Sequence, residues 1–431
     1  MELKDARPTT ILNDRKTINA WALFDWANSA FALVITVAIF PAYFTTVTPE
    51  TVSVLGIEMS NSTLFAYAIS ASYLIIALFS PLLSGIADSG GKKKLFLQFF
   101  TMIGSLGCIS LYFYDFGSPV ALGVIGFMLG MIGFAGGLVF YNSYLPEIVT
   151  EDRYDSVSAR GFSFGYIGSV ILLIINLVII QKPQWFGIGE EGTFAARLSF
   201  LMVGFWWIGF SIIPFRFLPA DPKNKPQSGL LSKGLSELKK VWREVKQRKS
   251  IKAFLFSFFC YSAGVQTVLY LASIFAEKEL NFDAGKLIQV VLLLQLVAIV
   301  GAYLFAKVSK WLGNIASIAI MLLIWVGICV FAYFVQTQAQ FYLVAASVGM
   351  VMGGIQSLSR STYSKLIPEG TTDTTSFFSF YDVLEKVAII VGTFSFGFIE
   401  QITGSMRISV LVLALFFILS LLILTRVKMK S

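Results

Sequence analysis

The chain has 431 residues and a net charge of +8, and 56% of its residues are hydrophobic while 13% are charged. Because soluble domains carry about 25% charged residues, this composition excludes an ordinary soluble protein and indicates a chain that crosses a membrane repeatedly. The sequence contains no histidine, which excludes His-based catalysis and His metal sites. Cys108, Cys260 and Cys329 lie far apart within apolar segments, so we predict packing residues rather than disulfides or a metal site.

Twelve apolar segments follow one another along the chain, and about 20 such residues suffice to cross a bilayer as a helix. Their predicted bounds are 19–46, 62–87, 95–114, 119–143, 158–181, 194–217, 251–276, 285–307, 314–335, 340–363, 374–399 and 406–426. The polar N-terminus and the length of the first segment are unlike a secretory signal peptide, so we expect this segment to remain as a membrane helix.

The lysines and arginines concentrate on one predicted side of the membrane. Of 33 such residues, 27 fall in loops and tails on the side of the N-terminus, five fall on the other side, and Lys386 lies within a segment. Cytoplasmic loops carry the excess of positive charge, so both termini are predicted in the cytoplasm. Membrane topology thereby explains the net positive charge of the chain, and no nucleic-acid partner is expected.

The first segment, from Asn19 to Pro41, carries an acid at Asp25 although it is long enough to cross the bilayer. An ionisable group at membrane depth costs about 2.5–3.5 kcal/mol, so its presence indicates a function. A regular helix would place the polar residues on one face and small apolar residues on a lipid face. The predicted polar face comprises Trp21, Asp25, Asn28, Ser29, Ala32 and Thr36. The predicted lipid face comprises Leu23, Ala27, Ala30 and Val34. Trp21 is expected in the aromatic belt at the membrane interface.

We interpret Asp25, with its neighbours Trp26 and Asn28, as a site for a substrate amine or a proton on a helix that faces a cavity. The alternative is a structural acid that pairs with Arg160 or Arg360. The two arginines occupy matching places in the two halves of the chain. We expect them to form inner-gate ion pairs, although each could instead extend to the cytoplasmic surface.

The loop after the second segment reads GIADSGGKKK. Gly85 would let two helices approach closely, while Asp88 could meet a helix N-terminus or a base and so latch one conformation. Lys92 and the two lysines after it would anchor the loop at the anionic inner leaflet. The alternative is an ordinary turn that follows the positive-inside rule.

The longest hydrophilic stretch, 218–250, divides the chain into an N-terminal six-helix bundle (1–217), a cytoplasmic linker and a C-terminal six-helix bundle (251–431). The linker begins with a segment rich in proline and polar residues. Its second part has apolar residues at helical spacing opposite a basic face, which predicts an amphipathic helix on the inner membrane surface. A calmodulin-like partner site is the alternative.

An internal repeat supports the division into two halves. The chain reads GGLVFYNSYLPEI near the end of the fourth segment and GGIQSLSRSTYSKLIPEG near the end of the tenth. Two six-helix halves related by a repeat are typical of a major facilitator transporter. The loop GIADSGGKKK also resembles the G-x-x-x-D-x-x-G-[RK]-[RK] loop of that superfamily.

Four stretches resemble the vacuole-effluxer-like branch of the major facilitator superfamily: NAWALFDWANSAFA, SARGFSFGYIGS, GGIQSLSRS and FFSFYDVLEK. The resemblance implies an all-α membrane protein with twelve transmembrane helices in two six-helix bundles and a small-molecule path between them. Fungal members release amino acids from the vacuole. Many relatives have an acid before glycine in the seventh segment, but this chain has Tyr261, Ser262, Ala263 and Gly264, so coupling through that acid is not implied here.

The eleventh segment carries a second polar cluster of Asp382, Glu385 and Lys386, next to Tyr381. Asp382 and Lys386 are four residues apart, so they could pair on one helix face. Glu385 is a second candidate for a titrating group, and the alternative is a charge-neutral network within the helix. Four amides in apolar segments could bind substrate or tie helix to helix: Asn142, Gln266, Gln295 and Gln356.

We therefore expect a secondary active transporter that moves a small solute, such as an amino acid or related metabolite, by alternating access. Coupling to a proton or another cation is expected at Asp25 or Glu385. One alternative is a lipid or drug exporter on the same fold. The other is a membrane receptor or scaffold. The chain has no GxxxxGK[ST] or GxSxG motif, so no enzyme is expected. We expect a monomer without cofactor or metal, in the bilayer of a bacterial inner membrane.

Overall fold

The computed structural model describes residues 11–54, 56–189, 192–221, 230–282 and 284–429. The two ends of the chain and residues 222–229 of the predicted linker lie outside these residues. Within the described part, helices follow the predicted segments closely.

The helices of the N-terminal half have these bounds: α1 (Arg15–Ala30), a π-helix (Phe31–Ile39), α2 (Phe40–Val47), α3 (Asn61–Gly90), α4 (Lys93–Leu111), α5 (Val120–Ser143), α6 (Leu145–Ile148), α7 (Tyr154–Gln181) and α8 (Phe194–Phe217). Two short 3-10 helices cover Glu151–Arg153 and Pro183–Phe186. The remaining helices are α9 (Leu230–Gln247), α10 (Lys249–Leu280), α11 (Ala284–Leu312), α12 (Asn314–Phe334), α13 (Gln338–Leu366), α14 (Thr374–Thr403) and α15 (Met406–Leu424).

Eleven helical spans in the described chain are long and apolar enough to cross a membrane. They include every predicted segment except the eleventh, whose helix, α14, has 30 residues and carries four charged side chains. The length of α14 is sufficient to cross a bilayer. Each of the twelve predicted segments therefore corresponds to a long helix, or in the first case to α1, the π-helix and α2 in succession.

Local sequence sets several helix ends. Asp14 caps α1 by accepting a hydrogen bond from the Thr17 N–H at 2.9 Å, and Ser60 caps α3 in the same way. The end of α10 is marked by Asn281 in the left-handed region, with a φ of 54°. These caps satisfy backbone groups that the helix itself leaves unpaired.

A β-hairpin that the sequence analysis missed lies between α2 and α3. Its strands, β1 (Thr51–Val54) and β2 (Ile57–Ser60), are antiparallel, with Val52 opposite Met59 and Val54 opposite Ile57. The turn contains Gly56 with a φ of 81°, which a glycine adopts without steric cost. The sequence signal of this hairpin is a short alternation of polar and apolar residues before a glycine, which is too short to form an apolar segment.

The described helices form two compact units. The first unit comprises Met1–Ser143 and Phe164–Gly234, and the second comprises Tyr144–Ser163 and Leu235–Ser431. The second unit thus contains α6 and the start of α7 as well as the C-terminal helices. The predicted boundaries at residues 217 and 250 stay a prediction.

In the first unit, α4 packs against α5 and α8, and α1 packs against α8. A close approach occurs between Gly133 on α5 and Gly104 on α4, where a Cβ on Gly133 would overlap the backbone of Gly104. Glycines of α5 thus permit close packing here and at Gly130, whose neighbour is the Phe31 ring.

In the second unit, α11 packs against α13, α12 against α15, and α10 against both α14 and α15. A Cβ on Gly301 of α11 would overlap the Met350 carbonyl group of α13. Small residues at such crossings let backbones approach, which is how membrane helices gain van der Waals contact where lipid removes the hydrophobic driving force.

The linker helix α9 divides its apolar residues between two sides. Val241 and Val245 are buried, whereas Leu235 and Trp242 are each 47% exposed. The Trp242 ring stacks on Phe380 of α14, with ring centroids 5.4 Å apart. The expectation that the whole apolar face rests on the membrane surface is therefore wrong at Val241 and Val245, because protein covers them.

Candidate transport site

The first candidate cluster is built on α1 and α5 in the first unit. Asp25 is 4% exposed and accepts a hydrogen bond from the Tyr141 hydroxyl at 2.6 Å. The Tyr141 ring stacks on Trp21 and Phe24, with centroids 4.6 and 5.0 Å away. Trp21 in turn donates its indole N–H to the Tyr141 carbonyl at 3.0 Å. The buried acid is therefore held by an aromatic side chain that is itself fixed on both faces.

Trp21 is completely buried in this arrangement. Its expected position in the aromatic belt is wrong, because both its ring and its N–H are used to join α1 to α5. The pairing of Asp25 with Arg160 or Arg360 stays a prediction.

The predicted lipid face of α1 is also wrong. Ala27, Ala30 and Val34 are fully buried. Two causes can be identified: helices α5, α7 and α8 surround α1, and a π-helix begins at Phe31. A π-helix has i→i+5 hydrogen bonds, so a regular spacing of 100° per residue no longer assigns its faces.

Trp26 and Asn28 lie beside Asp25 and have unsatisfied polar atoms. The Trp26 ring stacks on Trp206 at 5.7 Å, and the Trp206 N–H donates to the Trp26 carbonyl at 3.2 Å. The Trp26 indole N–H and both amide atoms of Asn28 have no hydrogen-bond partner among the described residues. Asn28 is fully buried. An unpartnered buried amide costs about 1–3 kcal/mol, so a polar ligand or ordered water is the expected partner.

The second cluster lies on α14 and α10 in the second unit. Lys386 forms the predicted ion pair with Asp382, and both side chains are almost fully buried. The Lys386 ammonium is also 3.9 Å from the Glu385 carboxylate. Gln266 of α10 donates its amide to Glu385 at 3.0 Å. Gln266 was predicted either to bind substrate or to tie helix to helix. Its hydrogen bond to Glu385 joins α10 to α14, as the second interpretation predicts.

Tyr381 forms part of an aromatic wall next to this cluster. Its ring stacks on Phe258 at 3.9 Å and on Tyr363 at 5.3 Å. The Tyr261 hydroxyl lies 2.6 Å from the Ser359 hydroxyl, which joins α10 to α13. The residue before Gly264, where many relatives have an acid, is Ala263, two positions after Tyr261.

Asn142 on α5 and Gln356 on α13 are both half-buried. Their substrate-binding role stays a prediction. Gln295 on α11 has a buried amide oxygen with no partner in the described chain.

Arg360 is 2% exposed, so its extension to the surface is excluded. Its guanidinium donates to the Ser158 hydroxyl at 2.9 Å and to the Ser158 carbonyl at 2.8 Å. It also lies 4.2 Å from the centre of the Phe162 ring. Arg360 therefore holds the first turns of α7 to α13. Arg160 is half-buried on α7, and its gate role stays a prediction.

A buried network one turn before Ser158 was missed by the sequence analysis. The Asp155 carboxylate, 4% exposed, accepts hydrogen bonds from Lys365 at 2.9 Å, from Asn314 at 2.8 Å and from Ser309 at 2.8 Å. Lys365 also donates to the Asn314 side-chain oxygen at 2.8 Å. An acid at the start of a helix is usually a capping residue, so only the tertiary structure reveals this network.

The loop GIADSGGKKK is positioned by two residues distant in sequence. A Cβ on Gly85 would overlap the Gly234 carbonyl of α9, which confirms the predicted close approach. Asp221 accepts hydrogen bonds from the Lys94 and Leu95 backbone N–H groups at 2.8 and 2.9 Å. The acid at the N-terminus of α4 is thus Asp221.

Asp88 lies in the last turn of α3, and Lys92 directly precedes α4. A helix N-terminus was one of the two partners considered for Asp88. At the N-terminus of α4, the acid that accepts the backbone hydrogen bonds is Asp221. Burial raises the pKa of Asp221 above its ordinary value, even though the two N–H donors oppose this shift. The latch roles of Asp88 and Lys92 stay predictions.

The long apolar helices of the described chain define a multi-pass membrane protein. Solved structures show the same fold. The transporter FucP in its outward conformation superimposes with a TM-score of 0.71 at 15% identity, over 96% of this chain and 100% of that chain. The human organic anion transporter MFSD10 gives 0.73 at 14% identity, with 96% and 100% coverage. The chain therefore has the all-α major facilitator fold.

The sequence profile described as "Vacuole effluxer Atg22 like" matches residues 13–431, and the chain belongs to this family. The MFS-type transporter YxiO of Bacillus subtilis (strain 168) is 31% identical over 417 residues, which are 96% of this chain and 96% of YxiO. Autophagy-related protein 22-1 of Emericella nidulans is 26% identical, over 83% of this chain and 74% of the fungal protein. The predicted family is confirmed.

Proposed function

We propose that this protein is a secondary active transporter that moves a small solute, an amino acid or a related metabolite, across the membrane by alternating access. The observation that carries the proposal is a pair of buried charged clusters within membrane helices, one around Asp25 and one around Glu385. Buried ionisable groups at membrane depth mark substrate or ion pathways. The family description as a vacuole effluxer supports a transport role.

The clusters are chemically suited to a zwitterionic solute. Asp25 offers a carboxylate to an amine, and the unpartnered amide of Asn28 offers both a donor and an acceptor. Trp26 adds an indole N–H with no partner in the described residues. On α14, the Lys386 charge is paired with Asp382 and lies 3.9 Å from Glu385, so we assign this cluster to ion coupling. We assign substrate recognition to Asp25, Trp26 and Asn28 in this scheme.

Alternating access requires contacts that form in one state and break in another. We assign this role to the contacts that hold the first turns of α7 inside the second unit, namely Arg360 with Ser158 and Asp155 with Lys365. Both sets lie at helix ends that the charge distribution predicts on the cytoplasmic side. We propose a bacterial inner membrane with both termini in the cytoplasm.

A transport screen tests the proposal. The purified protein is reconstituted into liposomes, and uptake of labelled amino acids and peptides is measured with and without a pH gradient. We expect one class of these solutes to enter, and Asp25→Asn to abolish its gradient-driven uptake. Asp115→Asn is the matched control, because Asp115 lies in a loop and pairs with Arg197.

Three outcomes would count against the proposal. If Asp25→Asn kept full gradient-driven transport, Asp25 would not be the substrate or coupling site. If no solute moved while labelled lipids or drugs did, the exporter alternative would replace the proposed solute class. Tight binding of a protein partner without any transport would instead favour a receptor or scaffold.

A further inference from the structure

One ammonium group faces two carboxylates in the α14 cluster. Lys386 pairs directly with Asp382 and approaches Glu385 at 3.9 Å. The remaining contact of Glu385 is with Gln266, which is neutral. Asp382 and Lys386 neutralise each other, so Glu385 is left with one negative charge that a shared ammonium balances only in part.

The described charged and titratable groups next to Glu385 come from α10 and from α14 itself. Those next to Glu385 are Gln266 and Tyr261 on α10, and Tyr381, Asp382 and Lys386 on α14. Arg360 on α13 lies near Tyr381. The charged residue of α15, Arg407, pairs with Glu279 at 2.8 Å, and Lys240 on α9 pairs with Asp373 at 2.6 Å. Among the described residues, Lys386 is thus the cation in contact with Glu385.

The two carboxylates differ in access. The Glu385 side chain is 26% exposed, whereas the Asp382 side chain is 5% exposed and engaged in the ion pair. Glu385 can therefore be protonated without breaking the pair of Asp382 and Lys386. An uncompensated charge among apolar helices is costly, and a proton removes that charge at once.

The geometry points to Glu385 as the carboxylate that takes up and releases one proton in each transport cycle, an inference that rests on the proposed transport function. A proton from water on one side of the membrane forms an O–H bond with a Glu385 carboxylate oxygen, which makes the cluster neutral. On the other side that bond breaks, the proton returns to water and the carboxylate again faces Lys386.

A metal cation fits this cluster less well. The Lys386 ammonium already occupies the position between the two acids. A sodium ion bound to the same carboxylates would lie next to this ammonium and meet its repulsion. A proton on Glu385 bears no such cost because the protonated carboxyl group is neutral.

The test compares wild type with Glu385→Gln in liposomes, using the solute found in the transport screen. With a neutral solute, no membrane potential and one proton per cycle, a gradient of one pH unit should drive about tenfold accumulation in wild type. Glu385→Gln should lose this accumulation, and Glu385→Asp should keep it with a shifted pH profile. The control Glu279→Gln should accumulate solute as wild type does.

Infrared titration in lipid nanodiscs gives a second readout that needs no solute. Wild type and Glu279→Gln should show a carboxylic-acid C=O band that appears on acidification and is absent in Glu385→Gln. Unchanged accumulation in a folded Glu385→Gln variant, or accumulation driven by sodium alone, would overturn the inference while leaving the transport function intact. Absence of uptake in wild type would count against the transport function, and the infrared band would still decide whether Glu385 binds a proton.

Discussion

Replacing Asp155 would test whether the buried network at the start of α7 holds that segment to α11–α13. The Asp155 carboxylate is 4% exposed and contacts Lys365, Asn314 and Ser309 within 2.9 Å. In Asp155→Ala the Lys365 ammonium would keep only the Asn314 oxygen, at 2.8 Å, among these partners.

Removal of one partner from a buried ion pair costs about 3–5 kcal/mol. The Lys365 side chain is 13% exposed, so water can reach part of it, and we expect a loss of about 3 kcal/mol in the free energy of unfolding. The double-mutant cycle of Asp155→Ala and Lys365→Ala should give a coupling of about 2 kcal/mol, because each single variant already breaks the same pair.

The assay is reversible denaturant unfolding of purified variants in one detergent. The pair Asp115 and Arg197 serves as the control, because its atoms are 3.2 Å apart but its side chains are 32% and 22% exposed. We expect a control coupling of about 0–1 kcal/mol. A coupling for Asp155 and Lys365 no larger than the control would refute the argument that burial makes this network the stronger contact.

Three further predictions follow from individual contacts. Gly301→Ala should destabilise the protein by about 1–3 kcal/mol in the same unfolding assay, since its Cβ would overlap the Met350 carbonyl; Gly327→Ala, which has open space, should not. Tyr141→Phe should cost about 1–3 kcal/mol because Asp25 loses its 2.6 Å donor, whereas Tyr67→Phe at an exposed site should be neutral; equal melting temperatures for these two variants would contradict this. Burial alone would raise the pKa of Asp115, but hydrogen bonds from Thr193 and the Phe116 N–H, together with Arg197, lower it below its ordinary value. The contribution of Asp115 to the free energy of unfolding should therefore be complete above about pH 4 and decline as pH falls through the lower pKa of the folded state. Asp115→Asn should remove this pH-dependent contribution.

The membrane helices could be predicted from the sequence because length and hydropathy determine them. The predicted segment 194–217 agrees with the bounds of α8, and 314–335 differs from α12 by one residue. The pair of Asp382 and Lys386 was predictable because a helix brings residues four apart onto one face. In both cases the information is local in the chain.

Contacts between distant residues could not be predicted in this way. The Asp155 network joins residues more than 150 positions apart, and the capping of α4 by Asp221 joins residues 126 or 127 apart. The lipid face of α1 failed because the π-helix at Phe31 changes the angular spacing, and because neighbouring helices cover Ala27 and Ala30. A single sequence contains no direct record of such neighbours.

Solute counterflow is the most direct measurement of the central claim, that this protein transports a small solute by alternating access. Liposomes that contain the protein are loaded with one unlabelled amino acid or peptide at high concentration, and entry of the labelled compound is followed over time. We expect a transient accumulation of label above equilibrium for the transported solute, and a smaller one in Asp25→Asn. No overshoot for any amino acid or peptide, with protein that unfolds cooperatively in the same liposomes, would contradict it.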